Sequence, residues 1–204
     1  MAKLHYYYST MKSGKSLEIY KIYDNYKRQG KNALAFVHEI AGEIESRLGF
    51  EVPAHVINNE SNLFEIVCNS LFNEFEFQDI HCVLVDEVNF LTKEHVIQMS
   101  DITDRLNIPV IGTGLKNRFD NELFEGSKYM LIYADDIQEI KTVCEFCNKK
   151  ATMVLRLVDD KPVFEGEPIL TKDECDYISV CRKCWKSPPL GNPLMQEFIK
   201  KESE

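Results

Sequence analysis

No stretch of this 204-residue chain comes near the roughly 18–20 continuous apolar residues that a membrane-spanning helix needs, and its N-terminus carries no apolar signal core. A soluble, cytoplasmic protein with no membrane association is the expectation. Basic charge is short as well: 24 Lys and Arg stand against 33 Asp and Glu, a formal net charge of −9. No nucleic-acid partner is expected from that balance, because binding a phosphate backbone at scale requires a basic surface, although an acidic chain can still bind nucleotides locally. Internal repeats and low-complexity stretches are missing, and none of His5, His38, His55, His81 and His95 has convincing metal-ligand spacing. The seven cysteines, in a reducing compartment, are expected to be thiols or metal ligands rather than a disulfide framework.

What is present divides in two. Through the first two-thirds, short apolar runs read as strands at Leu4–Tyr8, Ala33–Val37, His55–Ile57, Cys82–Val85, Val110–Thr113 and Tyr129–Ala134. Between them Lys15–Arg28, Leu63–Glu74 and Lys93–Leu106 carry apolar residues three and four apart, as amphipathic helices do. That alternation predicts an α/β fold, a largely parallel sheet flanked by helices, with ligands beyond the carboxyl ends of the strands. After about residue 137 the texture changes to cysteine pairs, β-like runs such as Thr152–Val158, and turns marked by Pro162, Gly166 and Pro168. The expected domains are 1–136, a nucleotide-binding α/β unit, and 137–190, a small β unit, before a tail at 191–204 that ends in a short charged helix or frays.

The strand at Leu4–Tyr8 breaks into Ser9-Thr10-Met11-Lys12-Ser13-Gly14-Lys15-Ser16. Strand, small polar loop and helix are the context of a phosphate-binding loop, whose backbone N–H groups and helix N-terminus converge on one spot. Ser9 stands where the usual pattern has its first Gly, so two readings fit: a variant nucleotide loop, or a chance Gly-Lys-Ser in an ordinary strand-turn-helix. A second apolar strand ends in Asp86-Glu87, either a solvated strand end or the paired carboxylates of a phosphoryl-transfer site. On the latter reading Lys15 contacts the β- and γ-phosphates, Ser16 ligates Mg²⁺, Asp86 holds that ion, and Glu87 is the general base.

Cys144-x-x-Cys147 and Cys181-x-x-Cys184 form two knuckles separated by residues 148–180. Thiolates so spaced can close a tetrahedral, structural Zn²⁺ site that staples a module with little core of its own; two unrelated pairs of thiols are the plainer alternative. Cys68 and Cys82 read as small core residues, Cys175 as incidental, and Lys27, Arg28 and Lys31 as a solvated helix end.

The loop, the strand-end Asp-Glu followed by Asn89-Phe90, the later "GLKNRFDNELF" and the four cysteines, in this order, resemble the small zinc-containing thymidine kinases from Leu4 to about Trp185. The resemblance implies a P-loop sheet, a Cys₄ zinc ribbon carrying a lasso loop, and transfer of the γ-phosphate of ATP to the 5′-hydroxyl of thymidine. It implies Mg²⁺ with ATP, structural Zn²⁺, a homotetramer and feedback inhibition by thymidine triphosphate. It also implies site residues. Met11 lies against the nucleoside, Glu87 is the base for the 5′-hydroxyl, and Phe90, Leu115, Phe119 and Phe124 sandwich the thymine ring. Tyr177 belongs to the loop that reads the base edge. Plain core packing is the other reading of Phe90, Leu115 and Phe124, as packing on the ribbon is of Tyr177.

Three departures from the family pattern stand out. The Asp-x-Arg expected after the second strand is missing from "FVHEIAGEIESRLGF", leaving Arg47 as the candidate substitute. Asn89 stands where Gln is usual, and Arg118-Phe119-Asp120 carries the charges of the common Asp-Phe-Arg exchanged. A second function therefore stays in view, a catalytically weak binder of thymidine or its triphosphate on the same fold. A zinc-ribbon ATPase acting on nucleic acid is a third, against which the net charge counts.

Overall fold

The computed structural model describes residues 1–42, 44–45, 51–73, 76–77, 79–167 and 175–190. Strands β1 (Leu4–Ser9), β2 (Asn32–His38), β3 (Ile44–Glu45), β4 (Glu51–Val52), β5 (His55–Ile57), β6 (Phe72–Asn73) and β7 (Glu76–Phe77) come first. They are followed by β8 (Ile80–Asp86), β9 (Val110–Leu115), β10 (Asp136–Glu139), β11 (Met153–Val158), β12 (Lys161–Val163) and β13 (Asp176–Val180). The helices are α1 (Lys15–Arg28), α2 (Leu63–Leu71), α3 (Lys93–Leu106), α4 (Glu125–Tyr133) and α5 (Arg182–Lys186), with a 3₁₀ turn at Val88–Phe90.

By contacts the chain forms two units. The first takes Met1–Tyr8, Gly14–Lys116 and Leu123–Ile140; the second takes Ser9–Ser13, Asn117–Glu122 and the chain from Lys141 onward. The main sheet has the order β10-β1-β9-β8-β2-β5, and β1 with β10, β8 with β9, and β2 with both β8 and β5 run parallel. Parallel strands are covered on both faces, which is why Cys82–Val85 within β8 reads as an unbroken apolar run. Val83 and Val85 face one core with Tyr6, Phe36, Leu63, Val96, Met99 and Met130, beneath α2, α3 and α4. Cys82 and Leu84 face the other with Ile19 of α1, Ala35, Val37 and Ile111. Burying a residue such as Leu84 completely contributes about 1.5–3 kcal/mol.

Local chemistry sets the helix starts. Asn62 accepts from the Glu65 N–H at 3.0 Å to cap α2, and Thr92 and His95 cap α3 reciprocally, each side chain accepting from the other's N–H. Glycine at 126 is required by space: a Cβ there would overlap the Val88 carbonyl oxygen and lie 2.9 Å from that of Leu91. α4 thus rests directly on the turn that follows Asp86.

Two sequence expectations are corrected. Tyr129–Ala134 is not a strand: Glu125–Tyr133 is helical, burying Gly126, Ser127 and Met130 on one side. The strand in this region is the polar edge strand β10, paired with β1 through His5↔Asp136 to Tyr8↔Glu139. The helix begun at Leu63 stops at Leu71. Arg47 and the tail at 191–204 lie outside the described residues. Among the described residues no helix is long and apolar enough to cross a membrane.

The second unit contains a three-stranded antiparallel sheet, β12-β11-β13. Its core is small: Phe146, Leu155, Leu157, Ile178 and Val180, with Cys144 and Cys181. Cores of that size rarely hold a fold without a staple.

Candidate active site and metal centre

β1 delivers the chain into the loop at Ser9. Within Ser9–Ser13 the single Ser13 hydroxyl hydrogen is shared between Ser9 Oγ and the Thr10 carbonyl, the latter at 2.9 Å, and Ser9 Oγ donates to that carbonyl at 3.0 Å. The serine in place of the usual first glycine is therefore part of the loop's own bonding. Lys12 takes a left-handed backbone (φ +56), and so does Gly14 (φ +88), where open space surrounds the missing Cβ; conformation alone calls for glycine there. α1 then begins with Lys15 and Ser16, and no side chain caps it. Its free N–H groups are the anion-binding end of a helix.

β8 ends beside them in the first unit. Asp86 is buried and accepts three hydrogen bonds, from Ser16 Oγ at 3.0 Å, from the Glu87 N–H at 2.8 Å and from Thr113 Oγ1. Lys15 Nζ, itself 8% exposed, lies 3.4 Å from Glu87 Oε1. Burial raises the Glu87 pKa above the ordinary carboxylate value; Lys15 opposes that shift, Asp86 adds to it, and Asn89 opposes it. Glu87 also has a left-handed backbone, φ +50, a costly conformation for a side-chain-bearing residue and one that recurs where geometry matters. A carboxylate whose proton affinity is raised by burial and that sits beside a cation suits proton transfer.

The apolar residues singled out from the sequence fall into both units. In the first, the Phe90 and Phe124 rings meet edge to face at 6.0 Å. Leu115 is fixed by its backbone: its N–H donates to Asn89 Oδ1 at 2.8 Å, and its carbonyl accepts from Tyr6 Oη at 3.1 Å and from Ser127 Oγ. In the second, Phe119 is buried, its ring lies 6.4 Å from that of Tyr177, and the Met11 carbonyl accepts from Ser179 Oγ.

The four cysteine sulfurs at 144, 147, 181 and 184 all lie within 4.8 Å of one another. A tetrahedral zinc with bonds of about 2.3 Å sets its sulfurs about 3.8 Å apart. Cys147 and Cys181 are 3.7 Å apart and Cys147 and Cys184 are 3.8 Å apart, so the donor set fits. The first knuckle is a tight hairpin, with the Cys144 N–H on the Lys149 carbonyl at 2.8 Å and the Cys147 N–H on that of Cys144 at 3.2 Å. The second opens α5, where the Trp185 N–H reaches the Cys181 carbonyl at 2.9 Å.

Three positions that the structure ties to these residues escaped the sequence reading. Thr113, inside "VIGTGL", gave no signal beyond its place at the end of a strand. Asn89 was noticed only as a departure, although its carboxamide ties the turn after Asp86 to Leu115. Arg156 carried the clearest missed signal, a cation in the middle of the apolar run Met153–Val158.

The protein-family model described as thymidine kinase matches residues 2–185. Among curated relatives, a protein named thymidine kinase from Listeria monocytogenes serotype 4b (strain F2365) is 50% identical over 197 residues, covering 93% of this chain and 100% of that protein. One of the same name from Shouchella clausii (strain KSM-K16) is 48% identical over 196 residues, covering 93% and 99%. A third, from Lactococcus lactis subsp. lactis (strain IL1403), is 46% identical over 195 residues, covering 93% and 100%.

Proposed function

This chain belongs to the thymidine kinase family, and on that premise we propose that it transfers the γ-phosphate of ATP to the 5′-hydroxyl of thymidine, giving thymidine monophosphate. The observation that supports the reading is the pairing of loop and strand end: Lys15 with Glu87 at 3.4 Å and Ser16 with Asp86 at 3.0 Å. A loop lysine, a loop hydroxyl and two strand-end carboxylates are the parts phosphoryl transfer requires.

The roles follow from chemistry. Loop and helix N–H groups and Lys15 bind the phosphates. Ser16 and Asp86, hard oxygen donors, are the residues that would hold Mg²⁺, which neutralises phosphate charge when it arrives with ATP. Glu87 takes the proton of the 5′-hydroxyl. Lys15 lowers the proton affinity of Glu87 while it pairs with it alone. Once Lys15 also serves the phosphates, Glu87 becomes the stronger base at the moment it is used. Phe90, Leu115 and Phe124, with Met11, Phe119 and Tyr177, are the residues assigned to thymidine.

The test is transfer of labelled γ-phosphate from Mg²⁺–ATP to thymidine, with Lys15→Ala as control. Transfer that vanishes in the control supports the reading. Thymidine bound without transfer points instead to the weak binder that the missing Asp-x-Arg suggests. The same reading carries structural zinc at one ion per chain, a cytoplasmic homotetramer and inhibition by thymidine triphosphate. Metal analysis, light scattering and a titration of the triphosphate check the zinc, the assembly and the inhibition in turn.

A further inference from the structure

The second unit holds a buried cation to which no role has yet been given. Arg156 stands at the centre of β11 and is 2% exposed. Its Nη1 donates to the Glu167 carbonyl at 2.6 Å and its Nη2 to the Glu165 carbonyl at 2.8 Å, so both partners are neutral. Gly166 between them has φ +118, and a Cβ there would sit 2.9 Å from Nη2; glycine lets the chain bend around the guanidinium. The remaining nitrogen's donor, Nε–H, is buried and has no hydrogen-bond partner among the described residues. A buried guanidinium left partly unsatisfied is costly, and an apolar side chain would fill the same space at less cost.

Its surroundings suggest why it is there. The flat face of the guanidinium lies on Phe119, with Cζ 3.6 Å from the ring centroid. β11 and β13 pair in the register Arg156↔Tyr177, so these two side chains share one face of the ribbon, and Tyr177 meets the same Phe119 ring. Phe119 is tied from its backbone as well, its carbonyl accepting from Trp185 Nε1 at 3.2 Å, next to Cys184.

We propose that Arg156 is a positioning residue for the pyrimidine base, fixing the plane of Phe119 and the bend at 165–167 and thereby the presentation of Phe119 and Tyr177 to thymidine. The inference rests on the reading of those two aromatics as thymidine contacts. It requires arginine in particular, since lysine has neither the planar fork for two carbonyls nor a flat face to stack.

The experiment compares the full-length, zinc-loaded chain with Arg156→Met and Arg156→Lys. In Arg156→Met, KM for thymidine is expected to rise about tenfold while kcat and KM for ATP stay within about threefold. Arg156→Lys recovers less than half of that loss. Zinc content is unchanged in both, and hydrogen exchange in the peptide covering 164–167 accelerates. Equal rises in both KM values, or a fall in kcat alone, mean that Arg156 only supports the fold and overturn the proposal. Unchanged exchange at 164–167 overturns the clamp. Thymidine binding by calorimetry separates the two layers: a wild-type chain that binds none fails the kinase reading and base positioning with it. A wild-type chain that binds, with Arg156→Met binding equally well, fails the positioning role alone.

Discussion

Asp86→Asn is the most informative single change, because the structure specifies what each oxygen does. Oδ1 accepts the Glu87 N–H at 2.8 Å and the Thr113 hydroxyl; Oδ2 accepts the Ser16 hydroxyl at 3.0 Å. A backbone N–H cannot reverse, so the asparagine oxygen must occupy the Oδ1 position and its NH₂ must face Ser16. The Ser16 hydroxyl then turns to accept, which uses one of its two lone pairs and re-aims the oxygen that would face a cation. Three charge-assisted bonds become neutral ones, at about 1 kcal/mol each, for a loss of about 3 kcal/mol. Relief from burying a carboxylate offsets much of that, leaving a net change of about 2 kcal/mol or less. Activity should fall far more, by about 100-fold or beyond, because Asp86 also carries the charge that would hold Mg²⁺. Urea denaturation measures the first quantity; γ-phosphate transfer at saturating thymidine, across a Mg²⁺ series, measures the second. Turnover within about threefold of wild type, with an unchanged Mg²⁺ dependence, would refute the reasoning.

The other predictions test different parts of the molecule. Burial raises the Glu87 pKa, with Lys15 opposing and Asp86 adding. The folded chain thus holds this proton more tightly than the unfolded one, so the stability Glu87 contributes at low pH is lost as pH rises through the unfolded and then the folded value. Glu87→Gln, which mimics the protonated form, is accordingly expected to raise Tm at pH 7 while abolishing transfer, and the gain should disappear below pH about 4. A lower Tm at pH 7 would count against it. Stripping metal from the four cysteines should lower Tm by about 10 °C or more, since the core of the second unit is small; calorimetry before and after chelation reads this directly. Gly126→Ala forces a methyl into the Val88 carbonyl, so a loss of about 3 kcal/mol is expected in urea denaturation, and a shift under about 0.5 kcal/mol would show that α4 can lift off the turn.

How far the sequence could be read depended on how local the signal was. β8 was legible because a strand covered on both faces must be apolar at every position, and Cys82–Val85 is. The cysteine pairs were legible because a tight knuckle brings two sulfurs together from neighbouring residues. Tyr129–Ala134 misled because six apolar and aromatic residues fit a buried strand or a half-buried helix equally well by period. What decides for the helix is remote: the space that Gly126 leaves for the Val88 carbonyl, and Met130 filling the core below. β10 was missed for the opposite reason, being a short polar edge that gains its hydrogen bonds from β1 and buries little.

The candidate site shows the same division. Lys15, Ser16, Asp86 and Glu87 were named from two short segments, yet their pairing across the sheet edge depends on β8 and the start of α1 meeting in space. Thr113 belongs to the same constellation and was invisible, since one threonine within a buried strand carries no distinctive pattern. The exchanged charges at 118 and 120 settle into a simpler account. Arg118 Nε donates to Asp120 Oδ1 at 3.1 Å, and Nη2 pairs with Oδ2 of the same carboxylate. Both charges are engaged with each other across Phe119, and Asp120 Oδ1 also accepts the Glu122 N–H at 3.2 Å, a bond that an arginine at 120 could not accept. The pair brackets Phe119 along the chain, and the orientation of its ring falls to Arg156, whose guanidinium lies against its face.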